Sequence, residues 1–495
     1  MLNLPHDLYT AAQIRELERI VAEDHNISFS ELMTRAGASA LSTIKQQWPK
    51  AERILVLCGT GNNGGDGFEL ARQALADNYR VEVIQIGDDK LLTKIAFDAK
   101  DALLSTGKEI QGFQEELPPA DVIVDAIFGT GINRPVEGQA KEVIQAINKP
   151  TGIPILSLDM PSGLHADTGN PQGLAVKATS TLNFIGLNIG LLTGHGPHYS
   201  GEIYFDSLDT PITVYKQVTP TFRRLNLEKD GERLAPRERT GHKGLYGHLV
   251  IIGGDIGMSG AVRIAAEAGA RVGSGLTSIA TRQSHSALIN LTRPELMSHS
   301  VESPEELNLL LKQANALTIG PGLGQSDWAK ALFEKAAEAI LPMVVDADAL
   351  NLLSKNRLHS DNWILTPHPG EAGSLLDCSS AEIQADRYSA VQEIQNIYGG
   401  VVVLKGPGTL INNGEALTRL SISGNPGMST GGMGDVLAGV IGGLLAQGFP
   451  LMEAACVGVT LHGMAGDKAA NQDGERGMLA MDLMPHLRQL SNSIR

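Results

Sequence analysis

The stretch RILVLCGTGNNGGDGFELARQAL, at residues 53–75, contains an apolar strand, a glycine-rich loop and the start of a helix. Two segments with apolar residues at helical spacing, 11–22 and 29–48, precede it. Further apolar strands lead into glycine or acidic residues at 80–87, 120–131 and 154–163. Apolar strands that alternate with helices are typical of a parallel sheet covered on both faces. The sequence therefore predicts an α/β fold.

The pattern of strands and helices fades near Tyr204, and the residues that follow are rich in proline, charged and polar side chains. This composition predicts a domain boundary between Asp209 and Leu225. A second series of predicted strands follows at 248–254, 275–281, 316–324, 343–350, 363–371 and 401–411. We therefore predict two α/β domains, at 1–215 and 222–495.

Composition and charge exclude several classes of protein. The 495 residues carry a formal net charge of −15, and this acidic balance argues against a nucleic-acid partner. With 42% hydrophobic and 19% charged residues, the chain is expected to be globular. Cys58, Cys378 and Cys456 are too far apart for a zinc motif or a disulfide framework. No apolar run reaches the roughly 20 residues of a membrane span, so we expect a cytoplasmic protein without a membrane partner.

The loop at 59–64, GTGNNG, fits the pattern G-x-G-x-x-G between a strand and a helix. An ordinary dinucleotide site also has an acidic residue at the end of the second strand, where it holds a ribose. Here that strand ends in Gln85, Ile86 and Gly87, which argues against a plain NAD dehydrogenase. The loop is either a structural turn or a site whose amides and side-chain oxygens hold a phosphate and a cation.

Asp125 and Asp159 each stand at the end of a predicted strand and before a polar loop. Because ligands bind at the carboxyl ends of parallel strands, both carboxylates are expected at the edge that carries the asparagine-rich loop. Carboxylate oxygens are ligands for a hard cation. Either residue could instead serve as a general acid or base if its pKa is raised. The alternative role for each is a helix N-cap.

The segment GNPGMSTGGMGD, at 424–435, opens an apolar helix. Backbone N–H groups at such a helix start can hold a transferring phosphoryl group. Asp435 falls in the first turn, where it could take a proton from an attacking hydroxyl or only balance the helix dipole. Lys405 follows a predicted strand and could contact nucleotide phosphates, whereas His368 is either structural or faces the ligand. No P-loop motif is present.

Taken together, GNNGGDG, VDAIFGTG and LDMPSGL resemble the N-terminal domain of the NAD(P)H-hydrate epimerase family. KGPGT, TPHPGE and GNPGMSTGGMGD resemble the ADP/ATP-dependent NAD(P)H-hydrate dehydratase family, a branch of the ribokinase-like superfamily. The resemblance covers essentially the whole chain, in the order found in bifunctional NAD(P)H-hydrate repair enzymes. It implies a Rossmann-like αβα sandwich followed by a ribokinase-like α/β domain. It also implies metabolite repair, in which the R and S hydrates interconvert and a nucleotide drives dehydration of the S form.

The resemblance implies the site residues as well. Potassium ligands are implied at Asn63, Asp125 and Ser162. Hydrate-binding positions of the epimerase are implied at Asn62, Asn63, Gly64, Gly65, Asp66, Gly129, Thr130, Gly131, Ile132, Asn133, Arg134, Pro135 and Asp159. Hydrate-binding positions of the dehydratase are implied at Ala261, Gly322, His368 and Asp435. Nucleotide-binding positions are implied at Lys405, Gly406, Pro407, Gly408, Thr409 and Gly434, and magnesium is expected with the nucleotide.

Two carboxylates receive roles in this chemistry. We expect Asp435 to deprotonate the C6 hydroxyl of the hydrate, which then attacks the terminal phosphoryl group of the nucleotide. We expect Asp159 to donate or accept a proton during epimerisation, while Asp125 holds the cation.

Several alternatives stay open at this point. They are ADP or ATP, NADH or NADPH hydrate, and whether the two sites communicate; a homo-oligomer is expected. The chain could also be a small-molecule kinase of the ribokinase-like class, or its first domain a binding or scaffolding module.

Overall fold

The computed structural model describes residues 4–234 and 236–493. Its internal contacts divide the chain into two compact units, Met1–Arg223 and Arg224–Arg495. In the described ranges no helix is long and apolar enough to cross a membrane, and Cys58, Cys378 and Cys456 are free thiols.

The first unit contains strands and helices in alternation. Its strands are β1 (Asp7–Leu8), β2 (Arg53–Cys58), β3 (Arg80–Gln85), β4 (Gln111–Gly112), β5 (Val122–Ala126), β6 (Ile155–Leu158), β7 (Ser180–Phe184) and β8 (Glu202–Asp206), and β9 (Phe222–Arg224) spans the boundary in the chain. Its helices are α1 (Ala11–Asp24), α2 (Phe29–Gln47), α3 (Asn62–Ala76), α4 (Lys94–Leu104), α5 (Gly138–Ile147), α6 (Gly196–Ser200) and α7 (Ile212–Tyr215). The predicted helices and strands of this half are confirmed to within a few residues, and Thr10 caps α1 in a capping box with Gln13.

The sheet of the first unit has the strand order β4-β3-β2-β5-β6-β7-β8, and all its neighbouring strands are parallel. Since β3 lies on one side of β2 and β5 on the other, the strand order reverses between β2 and β5. Loops that leave the carboxyl ends of strands at such a reversal open a crevice, which is the usual place for a ligand in this kind of sheet.

Tight packing at this crevice depends on a small residue. Gly67 faces β2 and β5 from helix α3, and a Cβ built on it would lie 2.7 Å from the Cβ of Ala126 and 2.8 Å from the Sγ of Cys58. The missing side chain lets α3 approach the sheet closely, which fixes the glycine-rich loop before the helix.

The strand pattern of the first sheet ends near Tyr204, as expected, but its last strand, β8, was not predicted. Strand β8 covers Glu202–Asp206, but its side chains are only partly buried or exposed and therefore show no continuous apolar run. Strand β7 was missed for a related reason, because its buried residues include the polar Ser180, Thr181 and Asn183.

The second unit is also α/β. Its strands are β10 (His248–Ile252), β11 (Leu276–Thr281), β12 (Met297–Ser300), β13 (Ala316–Ile319), β14 (Met343–Val345), β15 (Trp363–Leu365), β16 (Val401–Leu404), β17 (Thr409–Asn412) and β18 (Thr418–Ser421). Its helices are α8 (Leu227–Asp230), α9 (Ser259–Arg271), α10 (Gln283–Ser286), α11 (Pro304–Leu311), α12 (Asp327–Ala337), α13 (Asp348–Lys355), α14 (Pro369–Leu376), α15 (Ser380–Ala385), α16 (Arg387–Tyr398), α17 (Met433–Ala446), α18 (Leu451–Asp473) and α19 (Leu483–Leu490). The strands follow the order β18-β17-β16-β15-β14-β13-β10-β11-β12.

This second sheet is parallel from β12 to β16 and antiparallel at β17 and β18. The single strand expected at 401–411 is therefore wrong, because β16 and β17 are two antiparallel strands joined by a loop. Gly406 and Gly408, with φ of 129° and 63°, adopt the left-handed backbone that the reversal needs. The strand order reverses at β10, between β11 and β13, which places a second crevice at this edge.

Candidate active sites

A cavity of about 900 Å³ opens in the crevice of the first unit. Its walls come from the loops that follow β2 and β5, from the residue after β6, and from α1 and α2. The predicted epimerase residues that line it are Asn62, Asn63, Asp66, Gly129, Thr130, Gly131, Ile132, Asn133, Arg134, Pro135 and Asp159. The sequence motifs thus converge on one open cavity.

Gly64 and Gly65 lie within α3, behind the wall of this cavity. A Cβ on Gly64 would collide with the carbonyl oxygen of Gly59, and a Cβ on Gly65 would collide with the side chain of Met33. Their structural effect is therefore to let the helix start pack against its surroundings and present the asparagine loop.

Asp159 directly follows β6 and adopts a left-handed backbone, with φ of 63°. Its Oδ2 accepts a hydrogen bond from the N–H of Thr130 at 2.9 Å, and its Oδ1 accepts one from the side-chain amide of Asn183 at 3.2 Å. Burial raises the pKa of Asp159 to about 6, although both hydrogen bonds act in the opposite direction. The carboxyl is therefore mostly ionised at neutral pH but takes up a proton far more readily than an ordinary aspartate, as suits a group that both donates and accepts protons.

Two further carboxyl groups face the same cavity. Asp66, on α3, has a pKa raised well above its ordinary value by burial and by the charges of Asp159 and Glu18. Glu18, on α1, lines the cavity beside Arg15. Sequence reasoning missed Glu18, because the pattern of α1 indicates only which face is buried and not which cavity the helix borders.

Asp125 lies beneath the cavity and is fully buried. Its carboxylate accepts hydrogen bonds from the backbone N–H of Ser162 and the hydroxyl of Ser157, both at 2.8 Å, and from the hydroxyl of Ser162. Burial raises its pKa despite these bonds. A fully buried carboxylate with no cationic partner in the described residues is energetically unfavourable, so this position suits a cation.

Asn63 supplies a second observation that points to a cation. Its side-chain nitrogen donates to the carbonyl of Leu158 at 3.1 Å, whereas its Oδ1 is buried without a hydrogen-bond partner in the described residues. A buried amide oxygen without a hydrogen-bond partner can be satisfied by a hydrogen-bond donor or by a metal ion. The described residues contain no group of three or more His, Cys, Asp or Glu side chains that could hold a metal.

In the second unit, Asp435 lies in the first turn of α17, as the sequence predicted. Gly432 precedes the helix with φ of 90°, so the glycine-rich segment turns sharply into the helix start. Burial raises the pKa of Asp435 to about 7, the charge of Asp346 adds to the shift, and Lys405 opposes it. A carboxylate poised in this way can accept a proton near neutral pH.

Lys405 is the centre of a charged network at the end of β16. Its Nζ lies 2.9 Å from Oδ1 of Asp346 and 3.5 Å from Oε2 of Glu371. Burial opposes the charge on Lys405, but the two carboxylates outweigh it and raise its pKa. A Cβ built on Gly434 would lie 3.5 Å from Nζ of Lys405, so the network borders the start of α17.

Arg387 anchors the loop that contains Gly406, Pro407 and Gly408 by hydrogen bonds to its backbone. Its guanidinium donates to the carbonyl oxygens of Leu404, Lys405 and Gly408, at 3.2 to 3.3 Å. Arg387 is 3% exposed, and burial lowers its pKa to about 10. Sequence reasoning missed this residue, which lies at the start of α16 and 18 residues before Lys405 in the chain.

The remaining predicted dehydratase residues are Ala261 on α9, Gly322 on the loop after β13, and His368 before α14. A Cβ built on Gly322 would lie 3.1 Å from the Cβ of Ala261, so these two residues are neighbours. His368 caps α14, where its Nδ1 accepts from the N–H groups of Gly370 and Glu371. Glu371 in turn accepts from the N–H of His368 at 2.7 Å. Because Glu371 also contacts Lys405, the His368 loop and the Lys405 loop are linked.

Ala347 separates two aspartates in this site. Its φ of 48° and ψ of −122° are strained for an alanine. Asp346 binds Lys405 and accepts from the hydroxyl of Thr366 at 2.8 Å. Asp348 instead accepts from the N–H of Gly324 at 2.8 Å. The reversed backbone at Ala347 thus directs the two carboxylates to different partners.

A carboxyl-lined cavity at the edge of one sheet, and a carboxyl of raised pKa at a glycine-rich helix start beside another, are typical of an α/β enzyme with two sites. The family model described as NAD(P)H-hydrate dehydratase matches residues 249–489, and the model described as YjeF-related protein N-terminus matches residues 30–190. The bifunctional NAD(P)H-hydrate repair enzyme Nnr of Coxiella burnetii is 48% identical over 486 residues, which are 98% of this chain and 99% of that protein. The corresponding enzyme of Escherichia coli is 42% identical over 492 residues, 99% of this chain and 95% of that protein.

This chain belongs to the family of bifunctional NAD(P)H-hydrate repair enzymes. It epimerises the R and S forms of NAD(P)H hydrate and dehydrates the S form at the expense of ADP or ATP. A solved structure of a ribokinase-like superfamily protein from Enterococcus faecalis is 29% identical, with a TM-score of 0.50, and covers 55% of this chain and 95% of that chain. The first unit is a Rossmann-like αβα sandwich and the second is ribokinase-like, as expected. The alternatives of a small-molecule kinase and of a scaffolding module are thereby set aside.

Proposed function

We propose that Asp159 is the acid and base of epimerisation and that Asp435 is the base of dehydration. Asp159 and Asp435 share a position and a raised pKa, and this observation carries the proposal. Each carboxyl lies at a ligand-binding edge of its sheet and has a pKa raised into the range of about 6 to 7. Groups whose pKa lies near the working pH transfer protons most effectively.

In the dehydratase, Asp435 takes the proton of the C6 hydroxyl, and the oxygen attacks the terminal phosphoryl group of the nucleotide. The N–H groups at the start of α17 and the ammonium of Lys405 stabilise the negative charge of the transferring group. The nitrogen lone pair of the ring then expels phosphate from C6, and loss of a C5 proton restores the double bond. Hydroxide is a poor leaving group and phosphate is a good one, so nucleotide cleavage drives the elimination.

Potassium fits the first site at Asn63, Asp125 and Ser162. This fit is supported by the unpartnered Oδ1 of Asn63 and by the fully buried carboxylate of Asp125. When bound, the ion would supply positive charge beneath the cavity. Asn63 would then hold the loop after β2 in place, and Asp159 would remain the group that exchanges protons.

Magnesium is proposed to arrive with the nucleotide, since this ion usually keeps several waters and contacts one or two carboxylates besides the phosphates. Asp346 suits such a contact. Its Oδ1 binds Lys405 and Thr366, while its Oδ2 would lie 3.8 Å from a Cβ built on Gly434, toward the helix start. The cytoplasmic location and the homo-oligomeric state stay predictions.

Replacing Asp159 by asparagine is expected to lower the rate of epimerisation by about 10²- to 10⁴-fold, the usual contribution of general acid-base catalysis. Asparagine tolerates the left-handed backbone and can still accept from the N–H of Thr130, so the fold should persist. The measurement is the interconversion of R and S hydrate, separated chromatographically, without nucleotide. Asp98→Asn, an exposed residue of α4, is the matched control. A wild-type rate for Asp159→Asn would exclude its role.

Potassium is expected to stabilise the first unit. At a hundred times its dissociation constant, a ligand of the native state adds about 2.7 kcal/mol, which raises the Tm of a domain of this size by roughly 5–10 °C. Thermal unfolding would be compared in potassium chloride and sodium chloride of equal ionic strength. The difference between the two salts should vanish in Asn63→Ala. An equal Tm of the wild-type protein in both salts would contradict the potassium site.

A further inference from the structure

We propose that Glu18 is a second acid-base residue of the epimerase, which faces the C6 hydroxyl of the hydrate from the α1 wall of the cavity. The inference rests on the proposed role of Asp159 and extends it to a pair of carboxyls. Glu18 lies outside every motif that the sequence resemblance contains.

Glu18 lies where it can act on the same ligand as Asp159. Glu18 and Asp159 line the same cavity of about 900 Å³ but come from different elements, α1 and the end of β6. The buried residues of α1 include Ile14, Leu17 and Val21, which anchor the helix in the core. Arg15, one turn before Glu18, also lines the cavity. One face of α1 therefore forms a polar wall that a ligand would contact.

Glu18 differs from the other carboxylates of α1 in how it is held. In the described parts of the chain the carboxylate of Glu18 accepts no hydrogen bond and forms no ion pair. Its neighbours on the exposed side of α1, Glu16 and Glu23, both pair with Arg19. Asp159 is also held, by Thr130 and Asn183. A partly buried carboxyl without a protein partner is costly unless a ligand satisfies it.

Charged groups from several elements face Glu18. Burial and the charge of Asp159 raise its pKa to about 7, while Arg15 acts in the opposite direction. Asp66 faces the same space from α3, and the charge of Glu18 contributes to its raised pKa. Carboxyls that share one cavity and raise one another's pKa are not all ionised at neutral pH, so the pair of Glu18 and Asp159 can hold a proton and exchange it.

Inversion at C6 is readily performed by such a pair. One carboxylic acid protonates the C6 hydroxyl, the C6–O bond breaks, water leaves, and the ring nitrogen lone pair forms a C6=N1 double bond. A water molecule then attacks C6 from the other face, its proton passes to the other carboxylate, and the C6–N1 bond becomes single again. No oxidant or further reactant is needed. After each turnover the two carboxyls have exchanged protonation states, and solvent restores them.

The test uses the full chain and the variants Glu18→Gln, Glu18→Asp and Glu16→Gln. Glu18→Gln should slow epimerisation by at least about 100-fold, Glu18→Asp should recover part of the rate, and Glu16→Gln should match wild type. Dehydration of S hydrate with ADP, measured on the same samples, should stay unchanged in all three. The wild-type pH profile of epimerisation should be bell-shaped, and one limb should disappear in Glu18→Gln, which a purely structural role would not produce.

A second measurement follows the oxygen atom. In water enriched in ¹⁸O, each catalysed inversion should place one solvent oxygen on C6, whereas ring opening at the C6–N1 bond would retain the original oxygen. Wild-type rates in Glu18→Gln, an unchanged pH profile in that variant, or inversion without ¹⁸O uptake would each overturn the proposal. If Asp159→Asn is inactive while Glu18→Gln is fully active, only this inference fails. If Asp159→Asn is itself fully active, the proposed role of Asp159 fails first.

Discussion

Replacing Asp435 by asparagine is expected to lower kcat for dehydration by about 10³-fold or more, while epimerisation continues at the wild-type rate. The size of the effect follows from the loss of a general base, which contributes about 10²- to 10⁴-fold, at the residue that activates the attacking hydroxyl. Asparagine keeps the shape of the side chain at the start of α17 but cannot take the proton. Release of phosphate and recovery of reduced nicotinamide absorbance, with S hydrate and ADP, measure the effect.

The wild-type protein offers an independent check of this base. Because burial and Asp346 raise the pKa of Asp435 to about 7, the carboxylate is protonated and inactive below that pH, and the rate should rise as the pH passes through it. Asp327→Asn, at a fully exposed side chain of α12, is the matched control and should behave as wild type. Loss of epimerisation together with dehydration in folded Asp435→Asn would contradict the separation of the two sites.

Replacing Lys405 by methionine is expected to destabilise the second unit and to weaken nucleotide binding. Methionine fills a similar volume, but it leaves the side chains of Asp346 and Glu371, which are 1% and 9% exposed, without their cation. Removing one partner of a buried ion pair typically reduces stability by about 3–5 kcal/mol, which corresponds to a fall in Tm of roughly 5–15 °C. Calorimetry measures the Tm, and initial rates at varied ADP should give a KM at least about tenfold higher.

A control for Lys405→Met is available on the surface. Lys335 pairs with Glu338, whose side chain is 68% exposed, and surface pairs of this kind contribute little. Lys335→Met should therefore leave both Tm and the KM for ADP close to wild type. An unchanged Tm in Lys405→Met would mean that the buried network does not depend on its cation.

Much of the fold could be predicted from the sequence where burial produces an apolar run. Strands such as β2 and β10 are buried and apolar, so their existence and approximate bounds were predicted. Strand β8 is only partly buried, and the loop of Gly406 and Gly408 interrupts an otherwise continuous apolar stretch. In these places, periodicity carries no information about exposure or chain reversal.

The residues of the candidate sites could likewise be predicted from the sequence only in part. Residues in glycine-rich loops after strands, such as Asp159 and Asp435, could be placed at the ligand edges because parallel sheets bring strand ends together. Glu18 and Arg387 could not, since each lies on a helix whose pattern indicates a buried face and nothing about the loop or cavity beside it. Their contribution arises from tertiary packing, which brings distant segments to the same point.

The backbone at Ala347 has a consequence for how the second site handles its substrates. An alanine in this conformation stores on the order of 1–3 kcal/mol of strain, which the surrounding packing must offset. In return, Asp346 and Asp348 are aimed at separate partners before any nucleotide arrives. Rigid dipoles that need no rearrangement during turnover stabilise a developing charge better than mobile ones. The strain at Ala347 is therefore the energetic cost of holding the two carboxylates in fixed, separate directions.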